Sequence, residues 1–290
     1  MLDSKASGKR CVMLAAFAML AARPDAVSAE DVEIKPIHPY LIRKHTFFVG
    51  AFFQEAHAEI RETVGPLPRT AVNLGHLGVD ETDTTWHIEY QGRLWDRWGL
   101  AVGAENFSSR GTIENGTEFN FDRITYPVGA NLRTTMDVDT YFFDVVYQAY
   151  RNDRAELNVG LGIHAFEFDV EIEGTVAGGR ERFFGWERGR AVGASDLLAP
   201  LPNLRASGFF ALNSRWSVAA SVGWFSANVD EWDGRFLYLH ARTHFLVTER
   251  FGISAGYQRT DVDVKREQRR RESRYDIEFT GPTVHLTYGF

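Results

Sequence analysis

The chain has 290 residues and a net charge of −7, with a mean hydropathy of −0.26. Aromatic residues make up 13%, including 22 Phe and 10 Tyr, which is high for so polar a chain. This balance gives no reason to expect nucleic-acid binding, and the single cysteine, Cys11, excludes a disulfide framework.

Residues 1–29 read as a secretory signal peptide. Lys5, Lys9 and Arg10 precede an apolar run from Cys11 to Ala22, and Val27-Ser28-Ala29 offers small residues for cleavage. That run is too short to span a bilayer as a helix, and no later stretch approaches the ~18 apolar residues needed. Residues 30–44, with Pro36 and Pro39, read as a periplasmic N-terminal tether, which leaves 45–290 as one domain.

From there apolar and polar residues alternate with period two, the signature of strands with one apolar face. Strands are expected at 46–61, 84–94, 98–110, 135–150, 155–173, 203–212, 216–230, 235–247, 251–264 and 275–290. Tight turns at Trp95-Asp96-Arg97, Asn152-Asp153, Asn213-Ser214-Arg215 and Thr248-Glu249-Arg250 alternate with mostly longer loops. This asymmetry predicts an all-β fold, a transmembrane antiparallel up-and-down β-barrel of about 10 strands, with 8 or 12 as alternatives. An even strand count puts both termini on the periplasmic side.

The strands carry a sharper signal. In the fifth, Leu157, Val159, Leu161, Ile163 and Ala165 share a face that continues as Glu167, Asp169, Glu171 and Glu173. The opposite face runs from Glu156, Asn158 and His164 to Phe166, Phe168, Val170 and Ile172. Both faces exchange character at one level without a break in register. Hydrocarbon outside a barrel demands apolar side chains; beyond the membrane, water replaces it and the outside becomes charged. About nine residues at a tilt near 40° cover roughly the 25 Å apolar band of such barrels.

Strand parity then sorts the candidate site residues. The inward face at membrane depth holds His87, Glu89, Arg93, Glu105, Asp144, Glu156, His164, His240, Arg242, His244 and His285, with Gln91 and Gln148. Charges of both signs in a narrow lumen read first as a paired plug; a proton or ion path is the functional alternative. Above them, Phe107, Phe166, Phe168, Phe225, Phe236, Tyr238, Ile277 and Phe279 form an apolar upper interior, either a second core or a pocket for an apolar solute. In the external loops Arg180, Arg182, Arg269, Arg270 and Arg271 read either as solvated charges or as contacts for lipopolysaccharide phosphates. No cofactor or metal site is expected. For catalysis, the His-x-Ser pair of outer-membrane lipid A deacylases is missing. The acidic residues and His that barrel proteases place at their outer rim have counterparts in His76, Asp80, Glu81, Asp83 and His87, whose geometry the sequence leaves open. The chain is therefore read as a non-enzyme.

In the closing strand Val284, Leu286, Tyr288 and Phe290 alternate with small or polar residues. They are expected to face lipid and to form the signal that the barrel assembly machinery reads. The segments VNLGHLGVDETDTT (72–85), LLAPLPNLRA (197–206) and GPTVHLTYGF (281–290) resemble a family of uncharacterised Gram-negative outer-membrane β-barrel proteins. More distantly, the chain is similar to the OmpA/OmpW-type small barrels. The resemblance implies an integral protein of the cell outer membrane and maps no functional residues. The expected role is structural or surface-interacting, among outer-membrane lipid and lipopolysaccharide. A narrow pore or transporter for small or apolar solutes and a surface-facing enzyme are the alternatives.

Overall fold

The computed structural model describes residues 37–64, 70–73, 75–79, 81–121, 124–175, 190–229, 232–268 and 271–290. Ten long strands dominate them: β1 (His45–Val64), β2 (Thr82–Arg93), β3 (Trp98–Glu114), β4 (Asn131–Arg151), β5 (Ala155–Thr175), β6 (Arg190–Ala211), β7 (Trp216–Val229), β8 (Trp232–Leu246), β9 (Phe251–Gln268) and β10 (Arg271–Gly289). Each pairs antiparallel with the next. β10 returns to β1, from Gly289 opposite Thr46 to Arg271 opposite Val64. The sheet is a closed ten-stranded up-and-down barrel, the expected architecture. Three short strands lie at its long-loop end: Thr70–Asn73 pairs with β1, and Phe119–Phe121 pairs with Ile124–Tyr126 as a separate hairpin.

Alternation places the apolar belt outside. Phe53, Trp86, Phe143, Leu161, Leu204, Trp224, Tyr257 and Leu286 are exposed on it, as only a lipid-facing surface would tolerate so densely. Its lower edge carries four cross-strand aromatic pairs, Phe47–Tyr90, Trp98–Tyr147, Trp216–Phe245 and Phe251–Tyr288, with ring centroids 4.8–5.3 Å apart. Aromatics of this kind gather at a membrane interface, where an apolar body meets a wet edge.

Several strands run farther toward the long loops than expected. The largest difference is β6: residues 174–202 read as a glycine-rich loop, but the strand begins at Arg190. Pro200 and Pro202 caused the misreading. They pair opposite Ala165 and Ile163 of β5, whereas the ladder to β7 stops at Leu204 opposite Trp224. At Pro200 and Pro202 the ladder to β7 has already ended, so a residue without an N–H is tolerated there.

Of the expected tether, residues 37–44 are described, and they fold into the short-turn end of the barrel. Pro39–Leu41 form a turn of 3₁₀ helix, capped by His38, whose Nδ1 accepts from the Tyr40 amide at 3.2 Å. The Tyr40 ring stacks on Phe209 at 4.3 Å, and Leu41 is fully buried with Phe209 and Ala211. This stretch is a plug rather than a free linker. Of its apolar side chains, Tyr40 and Leu41 pack into the barrel while Ile42 is exposed, which shows no strand period, and Pro36 and Pro39 are what mark it as a tether in the sequence. The expected signal peptide, 1–29, lies outside the described residues.

At two glycines of the seam between β1 and β10 the backbones leave no room for a side chain. A Cβ on Gly50 would sit 2.0 Å from the Val284 carbonyl oxygen, and one on Gly281, whose φ is +156°, 2.0 Å from that of Phe53. Gly50→Val is expected to leave a markedly smaller fraction of chains closed, read as loss of the heat-modifiable band in detergent gels.

Candidate functional site: a charge layer across the lumen

The inward residues at belt depth come from nearly every strand and meet in the middle. Arg242 on β8 reaches across to Glu89 on β2, with Nη1 and Nη2 donating to its two oxygens at 2.7 and 3.3 Å. The guanidinium also lies over the Phe48 ring, 4.2 Å from its centroid. His87, two residues before Glu89 on the same face of β2, has Nδ1 3.0 Å from Glu105 Oε2 and Nε2 3.7 Å from Glu89 Oε2. Gln258 Nε2 donates to both Glu105 oxygens at 3.1 and 3.2 Å. Arg242 and Glu89 on one side, and His87, Glu105 and Gln258 on the other, are hydrogen-bonded groups, and between His87 and Glu89 the separation exceeds a hydrogen bond.

Smaller groups flank them. Arg93 donates to Glu156 at 2.6 Å, and Asn158 donates to the same carboxylate at 2.9 Å. Asp144, fully buried, faces Arg205 at 3.4 Å. It occupies space that a Cβ on Gly162 would fill, 1.8 Å from Oδ1. His164 Nδ1 lies 2.9 Å from Asn203 Nδ2. His240 lies between Tyr238, at 3.1 Å, and Thr283, at 3.2 Å. His285 Nδ1 is 3.4 Å from Ser254 Oγ. His244 packs against Tyr40 and Phe48, at 6.2 and 5.9 Å between centroids. Below this layer lies a cavity of about 90 Å³ whose walls include Tyr40, Gln91, Arg93, Glu156, Arg205 and Arg242. Tyr40 of the plug closes on this layer by donating its hydroxyl to Gln91.

The sequence reading collected every charged and histidine member named for this layer except Arg205. It also omitted Asn203, Gln258 and Tyr40. The signal for Asn203 and Arg205 was the parity they share with buried Phe209. Gln258 shares the parity of Thr260 and Val262, and Tyr40 had no strand to supply a parity. The rim constellation weighed for catalysis does not assemble among the described residues. Asp83 accepts from the Thr84 and Ser108 amides, while His87 points into the lumen layer. Asp80 and the side chain of His76 lie outside what is described.

No protein-family model matches the chain, and no curated protein matches it in sequence. Solved structures do match in shape. The outer membrane protease OmpT of Escherichia coli aligns with a TM-score of 0.58 at 9% identity, covering 91% of this chain and 100% of that one. The transport unit of the autotransporter AIDA-I from Escherichia coli aligns with a TM-score of 0.38 at 8% identity, covering 91% and 93%. The Ralstonia pickettii toluene transporter TbuX aligns with a TM-score of 0.36 at 10% identity, covering 88% and 92%. The likeness to OmpT shows a shared fold, that of an outer-membrane barrel, and nothing finer.

Above the belt the outer face carries ladders of paired charge. Asp263 on β9 accepts from Arg274 at 3.0 and 2.7 Å and also from Arg235. Arg259 donates to Glu278 at 3.1 Å and to Asp261 at 3.1 Å. Burial alone would push the Asp263 carboxyl up, but the two arginines outweigh it and hold it below its ordinary 3.8.

Two stability tests follow from these contacts. Arg242→Ala strands Glu89 in the lumen and is expected to cost about 3–5 kcal/mol in urea unfolding in detergent. Adding Glu89→Gln should restore part of that loss. Asp263→Asn should cost about 1 kcal/mol at pH 7. A carboxyl with a depressed folded pKa stabilises when ionised, so the gap between wild type and variant should close as pH falls below about 3.8.

Proposed function

We propose that this chain is an integral outer-membrane protein with a sealed interior, acting at its outer surface in a structural or surface-interaction role. The observation that carries the reading is the filled upper interior. Phe107, Phe166, Phe168, Phe236, Ile277 and Phe279 are all buried in one core, with Phe225 packed against it. The hairpin of the long loop adds Phe121 and Tyr126, the latter donating its hydroxyl to the Ile172 carbonyl at 2.8 Å. Tyr238 closes the underside of this core, against His240. A packed core at one end, a charge layer in the middle and the 37–44 plug at the other leave little room for solute flux.

In this reading the long loops face the medium and both termini face the periplasm. Outer-membrane lipid surrounds the belt, and lipopolysaccharide phosphates meet the arginines beyond it. Arg180, Arg182, Arg269 and Arg270 lie outside the described residues, and Arg271 opens β10. Arg61, Arg235, Arg259 and Arg274 provide further cations at that level. Val284, Leu286 and Phe290, exposed on the outside of the closing strand, support recognition by the assembly machinery together with Tyr288.

Planar-bilayer recordings test the sealed interior. The wild-type barrel is expected to show no stepwise conductance, and neither should a variant lacking residues 37–44, because the upper core remains. Regular conductance steps from either protein would replace this reading with that of a narrow pore.

A further inference from the structure

We propose that Glu55, His57 and Glu81 form a binding site for a divalent transition-metal ion, zinc foremost, on the outer face of the barrel just beyond the belt. Glu55 and His57 are two residues apart on β1, so both side chains leave the same face of the sheet. Glu81 belongs to the long first connection, one residue before β2, and its carbonyl accepts from the Ala56 amide at 2.6 Å. That bond fixes Glu81 against the backbone between the other two residues. Thr82, the next residue, pairs opposite Glu55, so Glu81 is held at the mouth of the β1–β2 ladder beside the other two ligands.

The spacing suits a shared ion better than direct contact. His57 Nε2 lies 3.8 Å from Glu55 Oε1 and 3.7 Å from Glu81 Oε2. Both separations exceed a hydrogen bond. Donors placed tetrahedrally about 2.0–2.2 Å from zinc are roughly 3.3–3.6 Å apart, so a small rotation of exposed side chains closes the set. All three donor atoms already lie within 4.8 Å of one another. Neighbouring acids are engaged elsewhere, Glu59 by Arg61 and Glu278 by Arg259. Among the described residues no Arg or Lys forms an ion pair with Glu55 or Glu81.

The donor set also decides the kind of metal. An imidazole nitrogen with two carboxylates favours zinc, copper or nickel over calcium and magnesium, which take oxygen ligands. Three protein ligands leave a fourth position open, pointing away from the sheet, for water or an anionic oxygen. The site stands apart from the sealed interior, and neither reading depends on the other.

The test uses the full-length barrel refolded in detergent, with heat-modifiable migration checked for each variant. Cobalt(II) titration should produce the visible absorption of a low-coordinate site, and zinc should abolish it while excess magnesium or calcium does not. Calorimetry should show His57→Ala weakening zinc binding by roughly 100-fold or more, since even an outer-shell partner is worth ~10–100-fold. Glu81→Gln, which lies outside the ladder and does not threaten folding, should also weaken it. Zinc binding that is undetectable at millimolar metal, or that survives His57→Ala or Glu81→Gln unchanged, would overturn the proposal.

Discussion

The ladder between β1 and β10 is the contact on which the rest depends. Within hydrocarbon no water is available to a bare N–H or carbonyl, so a sheet spans only if it has no edge. Here the first and last strands close along nearly their full length, from Thr46 with Gly289 to Val64 with Arg271. Gly50 and Gly281 allow the two backbones to approach at the seam. Closure turns every second side chain outward to lipid and forces the other half into a narrow lumen. The polar residues on ten inward faces become a buried layer because the sheet closes, not because any one strand is unusual.

Such a layer must pair internally or not exist, and most of it does pair. Glu89 and Arg242 stand 153 residues apart and meet only across the lumen. Glu105 joins His87 on the neighbouring strand to Gln258 on the far wall. Buried ion pairs are weak contributors to net stability, because desolvation offsets most of their attraction. Their effect here is to fill the middle of the barrel with groups that hold one another in place. An apolar core lies above this layer and the Tyr40–Leu41 plug below it, with the small cavity between layer and plug.

The outside follows a different logic. Beyond the belt the sheet faces water on its outer side and a hydrophobic core on its inner side, as a soluble β-sandwich half would. Acidic residues collect there on β4, β5 and β6, where Asp139 stands opposite Glu167 and Asp137 opposite Asp169. Arginines interleave with acids on β8, β9 and β10. Like charges opposite each other cost stability unless something offsets them. Glu55, His57 and Glu81 stand on this rim, on the water side of the sheet, apart from the groups that meet in the lumen.

Strand parity is local, and it made the barrel, a strand number of about ten, its lipid face and most charged members of the lumen layer readable before any contact was known. A residue's side of the sheet depends only on its neighbours two positions away, so Leu157–Glu173 alone shows the change from hydrocarbon to water. Partnership is not local. That Arg242 takes Glu89, that Arg205 lies against Asp144, and that Glu81 is pinned between Glu55 and His57 depend on register and closure among residues far apart. The plug and the upward reach of β6 through Pro200 and Pro202 were hidden for a related reason: proline reports a break in hydrogen bonding, but only the surrounding sheet decides whether the lost bond was ever needed. The sequence alone determined the barrel and the inside and outside of its wall, because both follow from a period of two; only the tertiary structure decided what fills the barrel and which charges meet, because those contacts exist only once the tenth strand has found the first.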